Sequence, residues 1–390
     1  MHLVDYVAHN AKYSFKAKPF NEVDALVFAQ LAYYDYSLFE DGLTFEEIAN
    51  HKNVIKATSL KNLIGDADER MFNLVITSRR YKNTQVKWHV SERDKEKAMQ
   101  FSATTFILSK NKAVVAFRGT DGTVIGWNED LNMTYMFPIP SQAQAQRYLN
   151  YSLNNMHIED VIVVGHSKGG NLAVYASIMA KEKYQPYITA VYNFDGPGFT
   201  EAFYDLDAYQ SLQPCIHKYI PEQSSIGRMM SERKENIVIK SDASYAMQHW
   251  AHTWLIDDDK FVYSDSTDFF SESVDVTTAS ILENMTPEER EDAVKVLFEI
   301  LFSTGKEYMD DIIKDRENIL FCIKQYFTLK DKGENVKKMV VELIKPMARM
   351  YTMKGKEEAG IFIVEKKNQI VDKIKETFSN KKKRNYRTKT

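Results

Sequence analysis

The stretch VIVVGHSKGGNLAVYAS, residues 161 to 177, decides how the rest of the chain is read. Four branched apolar residues run into Gly165, His166, Ser167, Lys168, Gly169 and Gly170, and an apolar-periodic segment follows at once. A buried strand, a glycine-flanked serine and a helix in that order fit the G-x-S-x-G elbow, whose sharp turn holds the serine in a strained conformation. Glycines on both sides let backbones approach where a Cβ would clash, so Ser167 Oγ is expected to stand exposed at the top of a sheet. A phosphate-cradling loop would end in G-K-[ST], which this stretch lacks.

Outward from the elbow, short apolar runs alternate with helical patterns. FSATTFIL (101–108) and KAVVAFRG (112–119) read as adjacent strands joined by SKNK, and DVIVVG (160–165), ITAVYNFD (188–195), CIHKYI (215–220) and NIVIKS (236–241) continue the series. Helical patterns fall at 143–155, 168–183 and 201–210. Such alternation implies crossover connections and a largely parallel sheet covered on both faces. The first hundred residues read as a helical lead-in with a capping box from Thr44 to Glu47, and the cluster Tyr33, Tyr34, Tyr36 and Phe39 as core. From Thr286, an N-cap with Glu289 completing its box, the pattern is helical, with a last helix near 358–378. The expected division is an α/β-hydrolase domain over 1–280, a helical C-terminal extension over 281–380 and a basic tail over 381–390. The extension is read as a cap packed on the sheet domain, or alternatively as a lid or docking element.

A hydrophobic content of 44% and a charged content of 27% are those of an ordinary globular protein and argue against disorder. A net charge of -3 argues against nucleic acid as a partner. The tail KKKRNYRTKT is basic, read as a solvated end, with weak peripheral contact with a membrane as the alternative. Cys215 and Cys322 have neither metal nor redox spacing and are expected to be reduced. The first residues lack a secretory pattern and no apolar run reaches a spanning length, so a cytoplasmic location is expected.

Serine is a poor nucleophile without a base in hydrogen-bond reach. His217 falls in a strand pattern, whereas His249 and His252 lie in the loop-like YAMQHWAHTWLIDDD, and one of that pair is the expected base. Their His-x-x-His spacing lacks a third ligand, so neither metal nor cofactor is expected. His166 reads as a structural residue of the elbow. The N–H of Lys168 is one expected oxyanion donor, its side chain directed to solvent, and AFRGTDGT supplies a second.

VVAFRGTDGTVIGWNEDL, VVGHSKGGNLAVYAS and NFDGPGF together resemble the class 3, fungal-type lipase superfamily, and more closely a bacterial family of uncharacterised α/β hydrolases within it. The resemblance covers about residues 20 to 265. It implies an α/β-hydrolase fold, an ester or acyl-lipid substrate, Thr120 in the oxyanion hole, and Arg118, Trp127 and Asp130 bracing that loop. It favours His249 as base, through the QHW..TW pattern. Class 3 lipases carry their acid in a later D-x-V-P stretch, where KYIPEQSSIGRMM puts Ser224. Asp195, at the end of the strand after the elbow helix, and Glu222 are the two remaining acids, and strand-end geometry favours Asp195. The expected function is a serine hydrolase of carboxylic esters. The alternatives are a degenerate hydrolase used as a scaffold, or a thioesterase or peptidase on the same fold.

Overall fold

A computed structural model describes residues 1–52, 54, 65–230, 236–267, 285–326, 333–334 and 337. The expected helix at 358–378 and the basic tail lie outside the described residues.

Seven strands form one sheet in chain order: β1 (Gln85–Asp94), β2 (Met99–Ser109), β3 (Lys112–Phe117), β4 (Asp160–His166), β5 (Ile188–Phe194), β6 (Ile216–Pro221) and β7 (Ile237–Ile239). β1, β2 and β3 pair antiparallel, and β3 to β7 run parallel. The parallel part has the crossovers that its helical patterns imply: α5 (Val124–Asn132) and α6 (Pro140–Met156) between β3 and β4, α7 (Lys168–Ile178) between β4 and β5, and α8 (Glu201–Tyr204) with α9 (Asp207–Leu212) before β6. Ahead of the sheet stand α1 (Leu3–Asn10), α2 (Glu22–Leu31), α3 (Phe45–Ala49) and α4 (Asp66–Thr77). This is the α/β-hydrolase fold, with helical extensions at both ends.

The central strands are apolar at almost every position because both faces are covered. Val114, Ala116, Ile162 and Val164 turn to a core shared with α1 to α4. Val115, Phe117, Val161, Val163 and Val191 turn to a second core under α6 and α7. Burial of each of these valine, isoleucine and phenylalanine side chains stabilises the fold by about 1.5–3 kcal/mol before conformational entropy is counted.

β1 corrects the expectation of a purely helical lead-in. Its residues QVKWHVSERD are mostly polar, it borders the sheet, and a bulge at Trp88 (φ 56°) between Lys87 and Val90 breaks the alternation that would have marked it. The helices α10 (Pro287–Phe302), α11 (Met309–Ile313) and α12 (Arg316–Tyr326) pack on α5 through Val124, Leu297 and Met309. The capping boxes at Thr44 and Thr286 form as expected. Both cysteines are free, Cys322 buried and Cys215 half-buried.

Candidate functional site

The ladder aligns the ends of three adjacent strands. Phe117 pairs with Gly165, and His166 with Phe194, so Ser167 and Asp195 each follow the last paired residue of their strands, side by side. The Ser167 N–H donates to the Phe194 carbonyl at 2.9 Å, and the Asp195 N–H to that of Tyr219 at 2.8 Å. Both residues then step into the left-handed region, Ser167 at φ 59° and Asp195 at φ 51°. That step costs an L-residue of order 1–3 kcal/mol and persists only where the surroundings impose it. Here they do: a Cβ on Gly165 would collide with the Gly169 carbonyl, and one on Gly169 with the Phe117 carbonyl. Only glycines let the elbow close this tightly over β3 and β4.

Asp195 is buried, and its carboxylate is fully engaged. Oδ2 lies 2.6 Å from His249 Nδ1, and Oδ1 accepts from Ser224 Oγ at 2.5 Å. Burial alone would raise its pKa, but the hydrogen bonds and charge of His249 together with the Ser224 hydroxyl hold it below the usual carboxylate range. An ionised Asp195 can only accept, so His249 Nδ1 donates to it. Ser224 therefore occupies the place where the resemblance puts an acid, and it donates to the carboxylate that follows the neighbouring strand β5. Its own turn is compact, with the Gly227 N–H donating to Ser224 Oγ at 2.9 Å.

His249 belongs to a short turn, Tyr245–His249, whose position is fixed by its neighbours. The buried Gln248 accepts from the Gln223 N–H at 2.8 Å and donates to the Ala243 carbonyl at 3.0 Å, and its own carbonyl receives Trp254 Nε1 at 2.7 Å. His166, buried behind the elbow, lies against the His249 ring with centroids 4.7 Å apart. His166 Nε2 is 2.9 Å from the His249 carbonyl, which can only accept, so this nitrogen donates and Nδ1 receives the Tyr33 hydroxyl at 3.3 Å. Burial and the neighbouring His249 push the His166 pKa down to about 3, so it is neutral.

The other candidates are placed elsewhere. His252 Nε2 is 2.7 Å from Asp68 Oδ1, in the N-terminal core. Glu222 accepts from Ser264 Oγ at 2.6 Å, and His217 lies within β6. Tyr33 borders the elbow while Tyr34 and Tyr36 are core. Among the described residues no group of three His, Cys, Asp or Glu side chains could hold a metal ion.

Thr120 follows β3 by three residues, and its hydroxyl donates to Asp130 Oδ2 at 2.6 Å. The loop is braced by Asp130 and by Arg118, which pairs across it with Asp121, while Trp127 is 39% exposed. The Lys168 side chain corrects the expectation that it points to solvent. It is buried, with Nζ 2.9 Å from Glu129 Oε2 and 3.0 Å from both the carbonyl and Oε1 of Gln100. Burial opposes its charge, yet Glu129 and Asp130 raise its pKa, so a buried cation clamps the start of α7 to β2 and α5. Tyr33, Ser224 and Glu129 were not singled out as partners from sequence. Tyr33 lay in an aromatic cluster that reads as core, and Glu129 in a stretch with ordinary helical polarity.

Compared with known proteins, the family described as Mbeg1-like matches residues 75–299. No protein with a curated description matches. Among solved structures, a mutant of MDLA from Penicillium cyclopium is 13% identical, with 64% of this chain and 87% of that chain covered and a TM-score of 0.39. A fungal lipase in complex with an inhibitor is 12% identical, covering 64% of this chain and 88% of that one, with a TM-score of 0.38. Among the described residues no helix is long and apolar enough to cross a membrane.

Proposed function

The chain belongs to the Mbeg1-like family, and from its hydrolase fold and strand-end geometry we propose that it is a serine hydrolase of carboxylic esters. The observation that carries this reading is the Asp195–His249 contact of 2.6 Å beside a serine held at φ 59°. In the proposed reaction His249 Nε2 takes the Ser167 hydroxyl proton as Oγ attacks the ester carbonyl. Asp195 fixes the imidazole tautomer and stabilises the imidazolium that forms. The N–H groups of Thr120 and Lys168 receive the oxyanion, the latter aided by the positive end of α7. His249 then protonates the leaving alcohol, and water hydrolyses the acyl-Ser167 ester with the same base. Because the Thr120 hydroxyl is committed to Asp130, its backbone is the group assigned to the oxyanion. No step requires a metal or cofactor. The relation to class 3 lipases, and with it an acyl-lipid substrate, is part of this proposal.

The test is hydrolysis of short and long p-nitrophenyl esters by wild type, Ser167→Ala, His249→Ala and Asp195→Asn, with folding checked by circular dichroism. Ser167→Ala and His249→Ala should abolish turnover and labelling by a fluorophosphonate. Asp195→Asn should lower kcat by about 10³–10⁴-fold, since an asparagine can reverse the tautomer. A folded wild type that neither hydrolyses any ester nor takes the probe would leave a binding scaffold as the reading. Comparison with acyl thioesters and peptide amides separates esterase from thioesterase and peptidase.

A further inference from the structure

One strand from Asp195, on the side of the sheet covered by α7, lies a cavity of about 210 Å³ lined by Val174, Phe199, Tyr204, Tyr209, Ile216 and Lys218, among others. Neither Ser167 nor His249 lines it. Its walls are mostly apolar and aromatic, with Asn193, Gln213 and Asn236 among them and Lys218 as the one charged group. Lys218 pairs across the ladder with Asn193, and its Nζ donates to the Gly227 carbonyl at 2.5 Å. Among the described residues no ion pair includes Lys218, although other cations held deep in the fold have them: Arg80 has Asp24, and Lys168 has Glu129. Burial pushes the Lys218 pKa down to about 8, with the charge of Asp195 pulling the other way, so the ammonium is still the main form at neutral pH. A cation in the wall of this cavity, with a neutral carbonyl as its hydrogen-bond partner, has no anion in direct ion pair with it among the described residues, whereas buried charges normally have one.

We propose that this cavity binds a small organic monocarboxylate, with its carboxylate on Lys218 Nζ and its apolar part among Val174, Phe199, Tyr209 and Ile216. A single ammonium matches one negative charge, whereas a phosphate monoester would bring up to two and leave the excess buried. The volume is below the about 300–1,000 Å³ of most ligand pockets, which limits the occupant to a fragment-sized acid. The inference goes beyond the hydrolase reading and does not depend on Ser167 being a nucleophile.

The experiment is calorimetric titration of the full chain with hexanoate and with 1-hexanol, in wild type, Lys218→Met and Ile216→Phe, each repeated in a Ser167→Ala background. Wild type should bind hexanoate more tightly than 1-hexanol. Lys218→Met should weaken hexanoate by at least about tenfold while leaving 1-hexanol unchanged. Ile216→Phe, which narrows the cavity but keeps Lys218 and its carbonyl partner, should weaken both. All of this should persist with Ser167→Ala, so a failed hydrolase reading would not move it. Absence of saturable hexanoate binding to wild type, equal affinity for acid and alcohol, or wild-type hexanoate affinity in a folded Lys218→Met protein would each overturn the proposal. If Lys218→Met does not fold, wild-type hexanoate affinity in Ile216→Phe overturns it instead.

Discussion

Ser224 and His166 show what a single side chain contributes through its neighbours. Ser224→Ala removes a hydrogen bond that helps keep the buried Asp195 ionised, so the carboxylate pKa should rise. On the proposed mechanism kcat should fall by about tenfold with KM little changed, a split that ester kinetics would reveal. Ser224→Thr, which keeps the hydroxyl, should recover most of the loss. For His166 the sign follows from proton binding. Its folded pKa of about 3 lies below its ordinary 6.5, so between these values the unfolded chain binds the proton and the folded one does not. His166 therefore contributes a loss of stability as pH falls from about 6.5 toward 3. Replacing it with Gln, which keeps a donor for the His249 carbonyl, should flatten that part of the stability profile measured by urea unfolding at a series of pH values.

At the scale of elements, the elbow depends on how closely β3, β4 and α7 approach. Gly169→Ala forces a methyl into the Phe117 carbonyl, and the strain should destabilise the fold by about 3 kcal/mol, with Gly165→Ala comparable. The urea midpoint checks both. This was also the most legible part of the chain, because strand, glycine cage and helix are contiguous and their periodicities differ sharply. The parallel strands could be read from sequence for the same reason: each is a short apolar run closed by turn residues. β1 was not legible, since a bulged border strand with one solvated face carries few apolar residues. His249 and Asp195 stood out as residue types at suggestive places, yet their pairing spans 54 residues and no local pattern records it. The burial of Lys168 is not legible in the sequence, because a lysine at the start of a helix ordinarily faces water. Its partners Gln100 and Glu129 come from other elements and appear only once the chain is folded.

Across the whole molecule, α2 is tied to the turn that follows α4 by a buried ion pair as well as by apolar packing. Asp24 of α2 receives Arg80 Nε at 2.8 Å and Tyr81 Oη at 2.6 Å, and Arg80 also donates to the carbonyls of Lys18 and Pro19. Neither charged side chain is exposed. Removing one partner strands the other charge, so Arg80→Met should cost about 3–5 kcal/mol, measured by thermal or urea unfolding. Asp24→Asn with Arg80→Met should cost less than the sum of the two single changes. At the other end of the chain, Gly122 and Val124 exchange backbone hydrogen bonds with Met309 and Glu307, of 3.0 and 2.9 Å. The C-terminal helices thus hold the segment that follows Thr120.

The alignment of Ser167 with Asp195 has a mechanical meaning. Both are positioned by a backbone lattice whose interstrand spacing of about 4.8 Å no side chain can retune. His249 alone reaches the site from outside that lattice, on a short turn steadied by Gln248, Trp254 and His166. On the proposed mechanism, a displacement of this turn would disengage His249 while Ser167 and Asp195 stay in register. Two of the three groups in the proposed triad are therefore placed by the sheet itself, and the third by side-chain contacts alone.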